Sequence, residues 1–262
     1  MRDALFRVER RAHGVVWLTL DRPEIHNAFD DRLIAELSAE LARLGKDDGV
    51  RVVVLTGAGR SFSAGADLNW MRRTATYGEA ENLADARVLA KLMQTLNELA
   101  KPTVARVNGA ALGGGTGLVA CCDIVIASDR ATFGTTEVRL GLIPAVIGPY
   151  VLAAVGARHA RRLMLTGERI SAAEAARLGL VHEVVAAEQL DSAVERIVAD
   201  LLKGGPAALA AAKRLIGDLA GRPIDPGLID DTAQRIAVLR ATPEAREGVG
   251  AFLEKRAPGW SG

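Results

Sequence analysis

Gly113-Gly114-Gly115-Thr116-Gly117, followed by the apolar run Leu118-Val119-Ala120-Cys121-Cys122 and then Asp123, is the stretch on which the reading of this chain turns. Residues without a Cβ let a ligand approach the main chain closely, and the first amides of a helix have no acceptor inside it. A glycine turn that opens a helix can therefore hold an anionic oxygen with backbone N–H groups alone. The run before it, Thr103-Val104-Ala105-Arg106-Val107, has the β-branched character of a buried strand, which places the cluster at a strand-to-helix turn. Gly115, Gly117 and Ala120 also match a loose dinucleotide fingerprint. Asp123 follows too soon for a crossover helix, and the next acidic residue at about 20 positions, Glu137, falls in a loop and not at a strand end, which excludes a nicotinamide site.

Working outward, Arg51-Val52-Val53-Val54-Leu55-Thr56-Gly57 is the pattern of a strand buried on both faces, and Ile124-Val125-Ile126-Ala127 is another. A helical stretch of about Ala80 to Ala100 separates the first from the strand near residue 105, so strands alternate with helices and a largely parallel sheet is expected. A second glycine turn, Ser63-Ala64-Gly65-Ala66-Asp67, follows the strand near residue 54. If the strands near 54 and 105 are neighbours, both turns emerge at one sheet edge, where α/β folds place their ligands. Two amides could then converge on one oxygen, each contributing about 10²–10³ in rate where charge develops.

Nearer the start, Val15-Val16-Trp17-Leu18-Thr19-Leu20 reads as a strand closed by Asp21-Arg22-Pro23. A helix follows, with Asp30 as N-cap, Leu33, Leu37, Leu41 and Leu44 at helical spacing, and Gly45 as its C-terminal cap. From about residue 187 the chain is helical. Leu190, Val194, Ile197 and Leu201 form one stripe, and breaks at Gly204-Gly205-Pro206 and Arg222-Pro223 divide the helices. No internal repeat or low-complexity tract is evident.

A chain of 262 residues with a net charge of +1 has no global attraction for nucleic acid or anionic membrane. The two cysteines, Cys121 and Cys122, are adjacent in an apolar run and read as buried thiols of a reduced compartment. The segment Met1-Arg2-Asp3-Ala4-Leu5-Phe6-Arg7-Val8-Glu9-Arg10-Arg11 carries charge where a signal peptide has an apolar core, and no membrane-length apolar run exists, so a cytoplasmic location is expected. A serine hydrolase is disfavoured: Gly59-Arg60-Ser61-Phe62-Ser63 lacks the closing glycine of a nucleophile elbow, and no histidine is assignable as its partner.

Taken in order, several motifs carry a resemblance. They are Ser61-Phe62-Ser63-Ala64-Gly65-Ala66-Asp67-Leu68, Lys101-Pro102-Thr103, Val107-Asn108-Gly109-Ala110-Ala111-Leu112-Gly113-Gly114-Gly115, Cys122-Asp123, Leu165-Thr166-Gly167-Glu168-Arg169-Ile170-Ser171-Ala172 and Gly179-Leu180-Val181. Together the chain resembles the enoyl-CoA hydratase/isomerase (crotonase) superfamily, from about residue 12 to Phe252-Leu253-Glu254-Lys255-Arg256. The resemblance implies an α/β fold, a crotonase (ClpP-like) spiral of ββα units. A core of residues 1–200 would bind acyl-CoA, and residues 201–262 would form a helical trimerisation region, with a homotrimer or homohexamer as the assembly. It implies an acyl-CoA thioester as substrate, no separate cofactor because CoA is part of that substrate, no metal, and neither nucleic acid nor membrane as partner.

The same resemblance assigns roles. Ala66 and Gly114 would donate their amides to the thioester oxygen, and Glu137, in Phe133-Gly134-Thr135-Thr136-Glu137-Val138, would be the acid/base. Glu24, Ile25 and His26, in the turn after the first hairpin, together with Ala64, Ala66, Asp67, Leu68 and Gly114, would contact substrate and CoA, while Lys255, and Arg256 less directly, would meet CoA phosphates. Hydratases of this kind commonly carry a second glutamate on the helix after the glycine triplet; here that position is Gly117, and neighbouring Thr116 reads as a helix-start residue.

One glutamate leaves two activities open: hydration of a 2-enoyl thioester, or a Δ3-Δ2 isomerisation. A non-catalytic trimeric scaffold is the remote third. Gly115 to Asp123 and Thr136 to Val151 resemble bacterial methylglutaconyl-CoA hydratases of leucine breakdown, which favours hydration. Ala145-Val146-Ile147 is expected to reshape the acyl pocket, Trp70-Met71 either to border it or to pack in the core, and Arg139, Arg72 or Arg73 to meet a carboxylate on the acyl group.

Overall fold

The computed structural model describes residues 4–261; Met1, Arg2 and Asp3, part of the charged N-terminal segment, lie outside the described residues. The chain opens with an antiparallel pair, β1 (Phe6–Arg10) and β2 (Val15–Leu20), and continues through helix α1 (Asp31–Lys46). Three units of similar plan follow. The first is β3 (Val52–Gly57), β4 (Ser61–Ser63), α2 (Leu68–Thr74) and α3 (Glu79–Asn97). The second is β5 (Thr103–Val107), β6 (Ala110–Leu112) and α4 (Gly114–Cys121), and the third β7 (Ile124–Ser128), β8 (Thr132–Gly134) and α5 (Gly148–Thr166). The chain ends with β9 (Arg169–Ser171), α6 (Ala172–Arg177), β10 (Glu183–Val185), α7 (Leu190–Leu202), α8 (Pro206–Leu219), α9 (Pro226–Arg240) and α10 (Pro243–Leu253).

Each unit sends its first strand to one sheet and its second to another. The larger sheet has the order β1-β2-β3-β5-β7-β10 and the smaller β4-β6-β8-β9. β3 pairs in parallel with β5, Val54 beside Val104, and β4 pairs in parallel with β6, so successive units are displaced by one strand along both sheets. This is the spiral of ββα units. It is a structural repeat without a sequence repeat, because the units are held in common only by which positions face inward, not by length or helix count.

β3 is buried along its whole length because both faces of the larger sheet are covered. On one face Leu18, Leu20, Val53, Leu55 and Ala105 join a core that includes Leu33, Leu37, Leu41 and Leu44 of α1 and Leu92, Met93 and Leu96 of α3. On the other face Val15, Trp17, Val52, Val54, Val104 and Ile126 pack against Leu190, Ala193, Val194 and Val198 of α7. The stripe read from the sequence thus caps the sheet, each fully buried leucine or valine contributing about 1.5–3 kcal/mol.

α1 starts where its sequence indicates: the Asp30 carboxylate accepts from Leu33 N at 2.8 Å. It does not end at Gly45. The helix continues to Lys46, and Gly45 lies within it, where a Cβ would stand 3.0 Å from Leu99 Cδ1. The glycine serves close packing of α1 against the chain after α3, and the expected capping role is corrected.

Cys121 and Cys122 are buried, free thiols as expected; burial pushes both upward, Cys122 to about 12. Among the described residues no helix is long and apolar enough to cross a membrane.

Candidate active site

The site begins with the turn between β2 and α1. Pro23–Ile25 form a single 3-10 turn, and His26 and Asn27 follow in the left-handed region, with φ of 56° and 55°. Asn27 makes that strained pair tolerable. Wholly buried, it accepts from Arg22 N and donates to the carbonyls of Ala58 and Ser61. The turn is then tied to the first glycine loop: Ala64 N donates to His26 O at 2.9 Å, and Ser63 Oγ donates to Asn27 O at 2.8 Å. His26 Nδ1 lies 2.9 Å from Ser61 Oγ. Glu24, Ile25, His26, Ala64 and Ala66 are therefore one connected unit.

Phe29 connects this unit to the second glycine loop, and sequence reasoning missed it. Its backbone forms a parallel bridge to Ala66, with Phe29 N donating to Gly65 O and Asp67 N donating to Phe29 O, both at 2.7 Å. The Gly65 carbonyl faces Phe29 N, and since the C=O and N–H of a trans peptide point in opposite directions, the Ala66 amide points away from Phe29. A Cβ on Gly65 would lie 2.8 Å from Leu112 O and 3.6 Å from Gly114 N. The Phe29 ring closes the arrangement: a Cβ on Gly114 would fall 2.4 Å from its Cε2. Gly114 must be glycine because an aromatic edge occupies its side-chain position. The only hint in the sequence is an aromatic residue immediately before the N-cap Asp30, which is a weak signal.

The Gly114 amide is oriented by what its neighbours do. Gly113 adopts φ 52°, ψ −122°, a conformation open essentially to glycine, and donates its N–H to Gly134 O at 2.8 Å. Gly114 is the first residue of α4, so its N–H has no acceptor within the helix and points out of the N-terminus. Thr116 is structural, as expected. Its buried hydroxyl donates to Ala111 O at 2.7 Å and accepts from Gly134 N at 3.3 Å.

The Gly113–Gly134 bond also places Glu137, three residues past β8 and at the start of a 3-10 turn, Glu137–Leu140. A Cβ on Gly113 would be 3.4 Å from Glu137 Oε1, so the carboxyl stands against the Gly113-Gly114 turn. Oε2 is buried and accepts no hydrogen bond from any described residue. Burial holds the Glu137 carboxyl above its ordinary range, with only its own backbone amide opposing the rise. The structure thus brings the Gly65-Ala66 loop, the Gly113-Gly114 turn and the Glu137 carboxyl to one place.

Other expected residues lie elsewhere. Asp67 caps α2, accepting from Asn69 N and Trp70 N, and Leu68 beside it is exposed. Trp70 belongs to the core and donates Nε1 to Asp85 Oδ1 at 3.1 Å. Lys255 is exposed in the turn after α10, which packs on α8 and α9, so it is not brought to the other site residues within this chain. Arg256 is exposed as well, its guanidinium forked onto Glu247 and Glu254. Arg73 is paired with Asp31, Arg72 donates to Asn69, and Arg139 lies against Gly167 at the end of α5. The surface hollow lined by Arg158, His159, Arg161, Arg162, Leu165 and Thr166 contains none of the site groups.

The family model of enoyl-CoA hydratase/isomerase matches residues 10–262. The chain belongs to the enoyl-CoA hydratase/isomerase family. Its fold is that of this crotonase superfamily: a crystal structure of an enoyl-CoA hydratase from Shewanella pealeana superposes with a TM-score of 0.95 at 44% identity, covering 98% of this chain and 96% of the other. Among curated relatives, a 2,3-dehydroadipyl-CoA hydratase of Escherichia coli is 36% identical, covering 96% of this chain and 97% of the relative. A 1,2-epoxyphenylacetyl-CoA isomerase of the same organism is 38% identical, covering 95% of each. An acyl-CoA thioester substrate fits a member of this family, whose names span both hydratases and isomerases.

Proposed function

We propose that this family member is an enoyl-CoA hydratase that adds water across the 2,3 double bond of a 2-enoyl-CoA thioester. The observation that carries the reading is the Glu137 carboxyl beside the Gly113-Gly114 turn, half-buried, with Oε2 unpartnered among the described residues. The thioester oxygen accepts from the Ala66 and Gly114 amides. As the C3–O bond forms, the π electrons move onto that oxygen as an enolate, which the two donors stabilise. Glu137, ionised, takes the proton of the attacking water and returns it to carbon 2, so that H and OH are added and the carboxylate is regenerated. A pKa above the ordinary carboxylate range suits both halves of this cycle.

The acyl group we favour is branched at carbon 3 or carboxylated, as in methylglutaconyl-CoA of leucine breakdown, on the strength of the sequence resemblance around Thr136 to Val151. The CoA portion is assigned to the Glu24–His26 turn with Ala64, Asp67 and Leu68, and to Lys255 of a neighbouring subunit in a homotrimer or homohexamer. No separate cofactor is required by this cycle.

One observation favours a second reading. Position 117 has no room for a carboxylate, since Ile147 fills its side-chain space. A single carboxylate can also remove a proton from carbon 2 of a 3-enoyl thioester and deliver it to carbon 4, which is isomerisation. Incubation with crotonyl-CoA, 3-methylglutaconyl-CoA and a 3-enoyl-CoA separates the two. Gain of one water in product mass supports hydration, and a shifted double bond at unchanged mass would replace it by isomerisation.

A further inference from the structure

Gly117 lies on α4 one turn beyond Gly114, on the same face of the helix and about 4.5 Å further along its axis. A Cβ there would stand 2.2 Å from Ile147 Cγ2, 2.9 Å from Ile147 Cβ and 3.3 Å from Met93 Cε. Ile147 reaches that slot from the N-cap of α5, an element that packs on both α4 and the Glu137 turn, and is only 3% exposed. Its branched side chain therefore substitutes for the side chain that position 117 lacks. Met93 Cε of α3 borders the same slot, so Ile147 and Met93 together enclose position 117.

Distance decides what this wall meets. A thioester oxygen at the Gly114 amide puts the carbonyl carbon at the helix N-terminus. On the acyl-CoA reading, an acyl chain that runs from there along α4 brings the substituents on carbon 3 and carbon 4 level with position 117. The Glu137 carboxyl stands against Gly113 and Ile147 against Gly117, so the two meet α4 at different positions.

We infer that Ile147 is the specificity-determining residue of this site, setting the bulk tolerated at carbon 3 of the acyl group through its occupation of the Gly117 slot. The inference rests on the acyl-CoA reading of the site and not on which reaction follows. Hydrophobic walls of this kind discriminate by about 10- to 200-fold for one methylene more or less. Ile147 should therefore act on the ratio of two thioesters and not on the binding of CoA itself.

The test compares two saturated, unreactive thioesters of equal carbon number, hexanoyl-CoA and 3,3-dimethylbutanoyl-CoA, by calorimetric titration of the full-length protein. Ile147→Ala is expected to shift the affinity ratio toward the dimethyl compound by about tenfold or more. Ile147→Val, which retains the branch, should give a smaller shift of the same sign and serves if the alanine variant fails to fold. An unchanged ratio in folded Ile147→Ala and Ile147→Val overturns the assignment, as does an equal loss of affinity for both thioesters. If the wild type binds both but turns over no enoyl thioester, the hydratase reading falls and the Ile147 assignment stands. Failure of the wild type to bind either overturns both.

Discussion

Burial raises the Glu137 carboxyl because its ionised form loses hydration and gains no donor at Oε2 among the described residues. A folded-state value above the unfolded one, near the ordinary 4.5, means that the folded chain holds this proton more tightly. The group's contribution to stability is therefore fully present below the unfolded value and declines as pH rises through the folded one. Glu137→Gln should match wild type in thermal melts near pH 4 and become relatively more stable as pH rises toward about 8. A constant difference across that range would contradict the burial argument. On the proposed hydration, the same carboxyl should supply the acid limb of activity, since only its ionised form accepts the water proton.

A second residue-scale expectation concerns position 117. Gly117→Ala alone drives a Cβ into Ile147 and should destabilise by about 1–3 kcal/mol; Ile147→Ala alone leaves a cavity and should cost about 2–5 kcal/mol. Because the second change removes the Cγ2 atom the first collides with, the double variant should lose clearly less than the sum in urea unfolding. Strict additivity would show that the two side-chain spaces do not overlap.

At the scale of elements, the strand at Ala66, the start of α4 and the turn before α1 are joined through Phe29. Replacing Phe29 by Leu keeps an apolar group but gives up the ring edge that seats Gly114. Misplacing the donors should lower kcat by about 10² with little change in KM, and loss of KM alone would argue that Phe29 shapes substrate binding instead. This element level is also where legibility ended. The strands near 54 and 105, the Asp30 cap and the leucine stripe of α1 were readable because each is a local pattern with a local physical cause. The roles given to Ala66, Gly114 and Glu137 rest on motif resemblance. Phe29 and the packing of Gly45 were not readable, and Ile147 only as part of the Ala145-Val146-Ile147 segment: what each one does depends on a contact with Gly114, Leu99 or Gly117, and no spacing rule reports a contact between residues so far apart in sequence.

Over the whole molecule, the three ββα units place β4, β6 and β8 side by side, so the glycine loops that follow β4 and β6 and the Glu137 turn after β8 emerge together. The site is thus a product of the repeat, one element from each unit. The C-terminal helices contribute differently. α7 seals the outer face of the sheet, whereas α8 to α10 leave Ile216, Ile224, Val238 and Phe252 exposed. If these helices form the assembly surface, the full chain should sediment as a trimer or hexamer, and Val238→Asp should shift it toward single chains; a monomeric wild type would contradict that role.

The central claim is that one carboxyl, Glu137, handles the proton while the Ala66 and Gly114 amides hold the thioester oxygen. Its most direct test is the turnover of crotonyl-CoA by Glu137→Gln against wild type, with folding checked by circular dichroism. A fall in kcat of about 10²–10⁴ is predicted, whereas turnover at the wild-type rate would contradict the account.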